Sequence, residues 1–463
     1  MGYQSWAGRP YGGTNFEFTG GVLDTSYQGR IMNFDATNGV ICDKSGHLLF
    51  SSNGIFIANA FNDTMLNGNG LNPGVYTSIS DSDGLNIPQG NLVLRSPYDS
   101  TKYYLFHETD DDYSNTDVSF YLYYTIIDMT KDSGRGEIIQ KNVVLLNDSI
   151  VPGFITACKH ANGRDWWLVN HQFNTNKYFK YLITPNGIQG PFIQNIGSIR
   201  DIDFGQVVFS PDGSKAAFYE PTNDLDLMDF DRCTGSFSNL IHVDINDSAG
   251  GGGGGAFSPD SKVLYVSSHR YVYQFDLTSS DISASKLTVA IYDGYISPYP
   301  TTFGLAQLAP DGKIYIACLN GTQNIHVINY PDSLGLGCDV CQHCITLPTF
   351  NAFTIANHPN YFLGAEHGSL CDSLEGVQNY SVQSSTLDIF PNPVINDEVT
   401  FMYNVSPEPG IISIYSVEGK EVAHYILPQW SSVQHLKLPK LAGGIYMAFL
   451  SGGFSANVKF VKE

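Results

Sequence analysis

Long apolar runs are missing from this chain. A membrane-crossing helix needs about 18–20 consecutive apolar residues, and polar or charged residues interrupt every stretch well before that length. Positive charge is also scarce. The 24 Lys and Arg are set against 45 Asp and Glu, for a net charge of −21. A field of that sign repels phosphate backbones and anionic membranes, which argues against nucleic-acid binding and favours divalent cations or basic partners. No Gly-x-Ser-x-Gly or His-Glu-x-x-His motif occurs, so the common local signatures of a serine hydrolase and a zinc protease are absent. The glycine run Gly250 to Gly255 is followed by neither Lys-Ser nor Lys-Thr. A strand-like run comes next, so the helix terminus of a phosphate cradle is lacking and a flexible loop entering a strand is expected. The opening Met1-Gly2-Tyr3-Gln4-Ser5-Trp6 has neither the basic nor the apolar region of a secretory leader.

What is present points to an all-β protein. Aromatic residues make up 13% of the chain, with 28 Tyr and 28 Phe, and Gly numbers 46. Aromatic and β-branched side chains favour strands, and Gly marks the turns between them. A chain of 463 residues is too long for one ordinary core and implies more than one domain or a large repeat.

A repeat is visible. Phe209-Ser210-Pro211-Asp212-Gly213, Phe257-Ser258-Pro259-Asp260-Ser261 and Leu308-Ala309-Pro310-Asp311-Gly312 recur at intervals of about 50 residues, the spacing of propeller blades. Each signature is a turn. Proline fixes the first corner, Asp bonds the backbone ahead of it, and Gly accepts the positive φ that closes the hairpin. The flanking runs are too apolar for a sheet with one wet face and suit strands covered on both sides. Weaker copies stand at Asp43-Lys44-Ser45-Gly46, Ser96-Pro97-Tyr98-Asp99, His160-Ala161-Asn162-Gly163 and His358-Pro359-Asn360. Seven landmarks predict a seven-bladed β-propeller over residues 1–370. The last unit is short, so N-terminal strands near residues 16–35 are expected to complete it and close the ring.

Residues 371–386 are polar and read as a linker. From 387 to 463 short alternating strands return, including Ile411-Ile412-Ser413-Ile414-Tyr415 and Ile445-Tyr446-Met447-Ala448-Phe449-Leu450. That pattern predicts a small Ig-like β-sandwich. Nearly all the net negative charge falls on the residues before it.

The eight cysteines form two groups. Cys42, Cys158, Cys233 and Cys318 are scattered in or beside strand-like runs and read as buried thiols. Cys338, Cys341, Cys344 and Cys371 cluster near the end of the repeat. In an exported protein they would form disulfides, and in the cytosol they would suggest metal.

Two resemblances follow. Leu387-Asp388-Ile389-Phe390-Pro391-Asn392-Pro393, Ile414 through Gly419-Lys420 to Val422, Leu441-Ala442-Gly443-Gly444-Ile445-Tyr446 and Val458-Lys459-Phe460-Val461-Lys462 resemble the type A sorting domain of the type IX secretion system. The resemblance implies handling by that machinery, export across the outer membrane, removal of the domain and, often, attachment to surface lipopolysaccharide. Its cargo carries a cleavable leader, and the start of this sequence departs from that pattern. Residues 30–350 are similar to a YVTN/WD-repeat-like propeller family found among exported, gliding-motility-associated proteins. Matching stretches include Gly46-His47-Leu48-Leu49-Phe50, Asp229-Phe230-Asp231-Arg232-Cys233-Thr234-Gly235 and Asp311-Gly312-Lys313-Ile314-Tyr315.

Chemistry-bearing sets are sparse. Asp110, Asp111, Asp112 and Asp117 lie in an oxygen-rich run that offers Ca²⁺ ligands, although the Gly and distal Glu of an EF-hand loop are missing. No other cofactor is indicated. His107, His160, His171, His269 and His358 could converge on a propeller axis as a metal or general-base site. The expected function is a secreted or surface-attached binding or adhesion module for a glycan or protein. The alternatives are a hydrolase or lyase with an axial active site, and a structural subunit of a surface layer or fibre.

Overall fold

In a computed structural model of the chain, the described residues are 2, 8–80, 83–109, 118–201, 205–247, 251–372, 387–403, 409–417, 419–428, 431, 433–452 and 456–463. They divide into two compact units, 1–373 and 374–463. The first unit is built from six four-stranded antiparallel sheets in chain order. Sheet I runs from Gly39–Cys42 to Thr64–Asn69, II from Asn91–Arg95 to Glu137–Ile150, and III from Thr156–Lys159 to Gly187–Arg200. Sheet IV runs from Gln206–Phe209 to Ser236–Val243, V from Gly253–Phe257 to Leu287–Ile291, and VI from Phe303–Leu308 to Val340–Asn351. Sheets I and II also touch through one parallel pair, Glu137 with Leu66.

The repeated signature forms the turn between the first and second strands of each sheet. Asp212 Oδ1 accepts from Ser210 Oγ at 2.6 Å and from the Ser214 N–H at 2.9 Å. Gly213, at φ 75°, closes the turn. Asp260 and Asp311 accept in the same way from the N–H groups of Lys262 and Lys313, both at 3.1 Å. Pro211, Pro259 and Pro310 precede them at the first corner, and Gly312 has φ 77°. In sheets I and II, Asp43 and Asp99 take the same part, and in sheet III Asn162 does.

Strand alternation then sends neighbouring side chains to opposite faces. Trp166 and Leu168 pack toward sheet II, while Trp167 and Val169 pack toward sheet IV. Ala216 and Phe218 join the core shared with III, and Ala217 and Tyr219 the core shared with V. Further cores join I to II and V to VI. Each sheet thus stacks on the next as a blade.

Closure differs from the expectation. Seven blades are not confirmed: the described residues hold six four-stranded sheets and a two-stranded hairpin, Gly13–Glu17 with Asp24–Gln28. Phe16, Phe18 and Leu23 cover the outer face of sheet VI. Thr14 Oγ1 meets Thr349 Oγ1 at 2.6 Å, and the Phe350 N–H donates to Pro10 O at 2.8 Å. Met32 and Phe34 then pack on Phe56 and Ala58 of sheet I. N-terminal strands therefore bridge the last sheet to the first. The seventh landmark contributes no strand, because its side chains are used elsewhere. Asn360 Nδ2 donates to Pro211 O, and Tyr361 donates to Val93 O.

The second unit has a three-stranded sheet (Leu387–Phe390, Glu398–Tyr403, Val433–Lys437) and a four-stranded one (Glu421–Leu427, Gly410–Ser416, Gly444–Ser451, Ala456–Lys462). Phe401, Ile412, Ile414, Ala448 and Phe460 share one buried core, as in a sandwich. Most of the expected linker lies outside the described residues.

The cysteine grouping needs correction. Disulfides join Cys233 to Cys371 and Cys341 to Cys344. Cys338 is a buried free thiol, whereas Cys42 is exposed. Cys233 was expected to be a buried thiol, but the chain after residue 352 returns beneath sheet IV and brings Cys371 to it. The Glu366 N–H donates to Ala161 O, and Arg232 Nη2 donates to Gly364 O. The Cys233–Cys371 bond closes a loop across a separation of 138 residues. Such a bond restricts the unfolded chain and stabilises typically by about 2–4 kcal/mol. Replacing both cysteines by Ser is expected to lower the unfolding free energy of the ring by about that amount. Denaturant melts of the variant and the parent, without reductant, check this.

Candidate functional site

The axis of the ring is filled by carboxamides and close-packed backbone. Gln206 Oε1 accepts from the Gly255 and Ala306 N–H groups at 3.1 and 3.0 Å, and its Nε2 donates to Ala306 O at 2.8 Å. One side chain thus ties the first strands of sheets IV, V and VI. Opposite it, Gln89 Oε1 accepts from the Val207 N–H at 2.9 Å, linking sheet II to IV, and Asn357 Nδ2 reaches Ile155 O at 2.9 Å. Gly254 sits where a Cβ would come within 2.7 Å of the Ala306 amide and the Leu305 Cα. The glycine run therefore supplies close approach at the axis, a role its sequence did not announce.

His107, His160 and His171 do not converge there. His107 is fully buried, its ring nitrogens at Asn72 Oδ1 (2.7 Å) and Thr125 Oγ1 (2.9 Å). His171 is buried between sheets, its Nδ1 2.8 Å from Gln172 O, and its ring lies edge-on to Tyr178. His160 Nε2 meets Cys233 O at 3.1 Å on the opposite, turn-bearing mouth. His326, which sequence reading overlooked, is also buried, 3.3 Å from Cys318 Sγ. Its Nδ1 accepts from the His343 N–H at 3.0 Å, so Nε2 carries the proton and faces sulfur. Burial pushes the Cys318 thiol up to about 12, which removes a thiolate nucleophile from this pair.

The most ligand-like surface is the loop from 292 to 301, which joins the outer strand of sheet V to the first strand of sheet VI. It is braced internally. Tyr292 donates to Tyr295 O at 2.7 Å, the Tyr295 N–H donates to Asp293 Oδ1 at 3.0 Å, and the Thr301 N–H returns to Tyr295 O at 3.1 Å. Tyr295 stacks on His343 with ring centroids 4.1 Å apart, and His343 Nε2 lies 3.0 Å from Asp293 Oδ2. Tyr295 remains 41% exposed, Tyr299 56% and Ile296 62%.

A second polar set lies at the same mouth, on sheet IV. Asp224 and Asp226 begin one strand, His242 lies near the end of its neighbour with Asp244 just beyond it, and Asp226 is paired to His242. Ser198 Oγ is 3.1 Å from His242 Nδ1, which is itself 2.8 Å from Asp226 Oδ1. Serine and aspartate share one ring nitrogen, so the set is no Ser-His-Asp relay, which needs one on each side of the imidazole. Asp110, Asp111, Asp112 and Asp117 lie outside the described residues.

Residues 388–463 match the family model described as a secretion system C-terminal sorting domain. Residues 388–463 are a type IX secretion sorting domain, and a β-propeller precedes them. No curated protein matches it. Among solved structures it is similar to a putative 6-phosphogluconolactonase from Bacteroides fragilis, at 15% identity over 63% of this chain and 90% of that one, TM-score 0.33. It is also similar to the WD40 domain of Toxoplasma gondii coronin, at 11% identity over 56% and 60%, TM-score 0.35. In the sorting domain, Pro391, Asn392 and Pro393 follow the first strand, and Asn392 clasps the last one. Its Oδ1 accepts from the Val461 N–H at 3.0 Å and its Nδ2 donates to Lys459 O at 3.2 Å. Gly419, at φ 78°, and Lys420 close the hairpin back to Ser416. Gly444 opens the next strand, in which Tyr446 stacks on Phe460. Lys459 is exposed on the last strand.

The buried rings predict acid sensitivity. Burial holds His107, His171 and His326 down to about 3, whereas unfolded imidazoles protonate near 6.5. Their contribution is complete above that value and is lost as the pH falls toward about 3, at up to about 1.4 kcal/mol per pH unit for each ring. Asp35, raised to about 6 by burial and Asp83, partly opposes this below pH 6. Denaturation midpoints should therefore fall between pH 6.5 and 4.5, and fall less steeply in His107→Gln.

Proposed function

We propose that this cargo is a surface-delivered binding module that engages a glycan or protein through the 292–301 loop. The observation that carries the reading is the braced display of Tyr295 and Tyr299. Exposed aromatic rings lose unfavourable hydration when a ligand covers them. A loop already fixed by its own hydrogen bonds loses little further freedom on binding. Flat tyrosine faces beside Asp293 and His343 suit a sugar ring, which offers apolar C–H faces and hydroxyl edges. The sorting domain supports delivery to the surface, where such ligands occur. Binding is favoured over axial hydrolysis because Gln89, Gln206 and Asn357 occupy the axis, and carboxamides do not exchange protons near neutral pH.

Glycan and protein arrays probed with the full chain test the proposal. A retained ligand is expected, with affinity lowered about tenfold or more by Tyr295→Ala and by Tyr299→Ala, a loss of at least about 1.4 kcal/mol. Both variants should unfold near the parent temperature. No retained ligand, or binding untouched by both substitutions, overturns it.

A further inference from the structure

We propose that Asp224, His242 and Asp244 form a binding site for one divalent first-row transition ion of the Zn²⁺ class. One ligand atom from each residue lies within 4.8 Å of the others. An imidazole nitrogen with two carboxylate oxygens is a donor set that Zn²⁺ accepts, water filling the remaining position.

Asp226 is fully buried, and its Oδ2 is 2.9 Å from Arg200 Nη2. Asp226 Oδ1 lies 2.8 Å from His242 Nδ1 and accepts the hydrogen bond of its N–H. This is the carboxylate–histidine arrangement that orients metal-ligating imidazoles. With Nδ1 engaged by Asp226, Nε2 is the ring nitrogen turned toward Asp244, 3.4 Å from its Oδ1. A cation placed between Nε2 and the carboxylate oxygens of Asp224 and Asp244 has all three donors within reach.

The surroundings favour the same charge. Four carboxylates, Asp224, Asp226, Asp244 and Glu220, gather around two cations. Arg200 is committed to Glu220 and Asp226. Lys286 Nζ bonds the backbone carbonyls of Asp244 and Ile245. The network is independent of the tyrosine loop, so this inference stands or falls apart from the proposed ligand.

Calorimetric titration of the tag-free full chain with Zn²⁺ alone, after stripping with chelator, tests it, alongside elemental analysis of the dialysed protein. One Zn²⁺ per chain is expected. Asp244→Asn, at a side chain 67% exposed and outside the core, should weaken binding at least about tenfold, as should His242→Gln. Asp226→Asn, which leaves every ligand in place, should weaken it by about 10–100-fold. No binding at micromolar Zn²⁺ overturns the site. Unchanged binding in Asp244→Asn and His242→Gln overturns it as well.

Discussion

Each sheet of the ring is apolar on both faces, and that single constraint organises the rest. A sheet such as IV, with Phe218 on one side and Tyr219 on the other, cannot stand at an edge. Burying one large apolar side chain is worth about 1.5–3 kcal/mol, so an uncovered face would forfeit many such contributions and expose a sticky edge. Stacking in a circle satisfies every interior sheet, but it leaves the outer faces of I and VI to be covered. Residues from both ends of the ring do this. The hairpin Gly13–Gln28 covers sheet VI, Met32 and Phe34 reach sheet I, and the stretch after Asn351 passes inward to the axis and out beneath sheets II to IV.

Closure has a consequence for function. Six sheets and a hairpin draw the first strands together tightly enough for Gln206, on the first strand of sheet IV, to bond those of V and VI. The centre is thereby spent on structure, and chemistry moves to the mouth. There the connections between sheets are free to vary, and both the tyrosine loop and the Asp224–His242–Asp244 set are found on them or at their borders. The buried Arg200 network links the two levels, since it neutralises charge between sheets III and IV while fixing the imidazole that faces solvent.

What could be read from the sequence was local. The Pro-Asp-Gly corners carry their own hydrogen bonds, so Asp212, Asp260 and Asp311 announced their turns without help from the rest of the chain. The sorting-domain motifs were legible for a similar reason, since Gly419 closes a short hairpin and Gly444 opens a strand. Long-range pairing was not legible. His358-Pro359-Asn360 has the composition of a corner, yet Tyr361 is drawn to Val93 and Trp166 and no strand follows. Cys371 lay near three other cysteines in sequence and bonds a fourth, 138 residues away. The candidate ligands around His242 left a signal that went unused. Asp224-x-Asp226 and His242-x-Asp244 each put two polar side chains on one face of adjoining strands, and only the register joins them.

Native-state hydrogen exchange tests the closure most directly. If the N-terminal hairpin completes the ring, amides between Thr14 and Tyr27 exchange as slowly as those of the central strands of sheets II to V, opening only when the ring unfolds. Exchange of that hairpin at the rate of an unstructured peptide, with sheet VI still protected, would contradict the account.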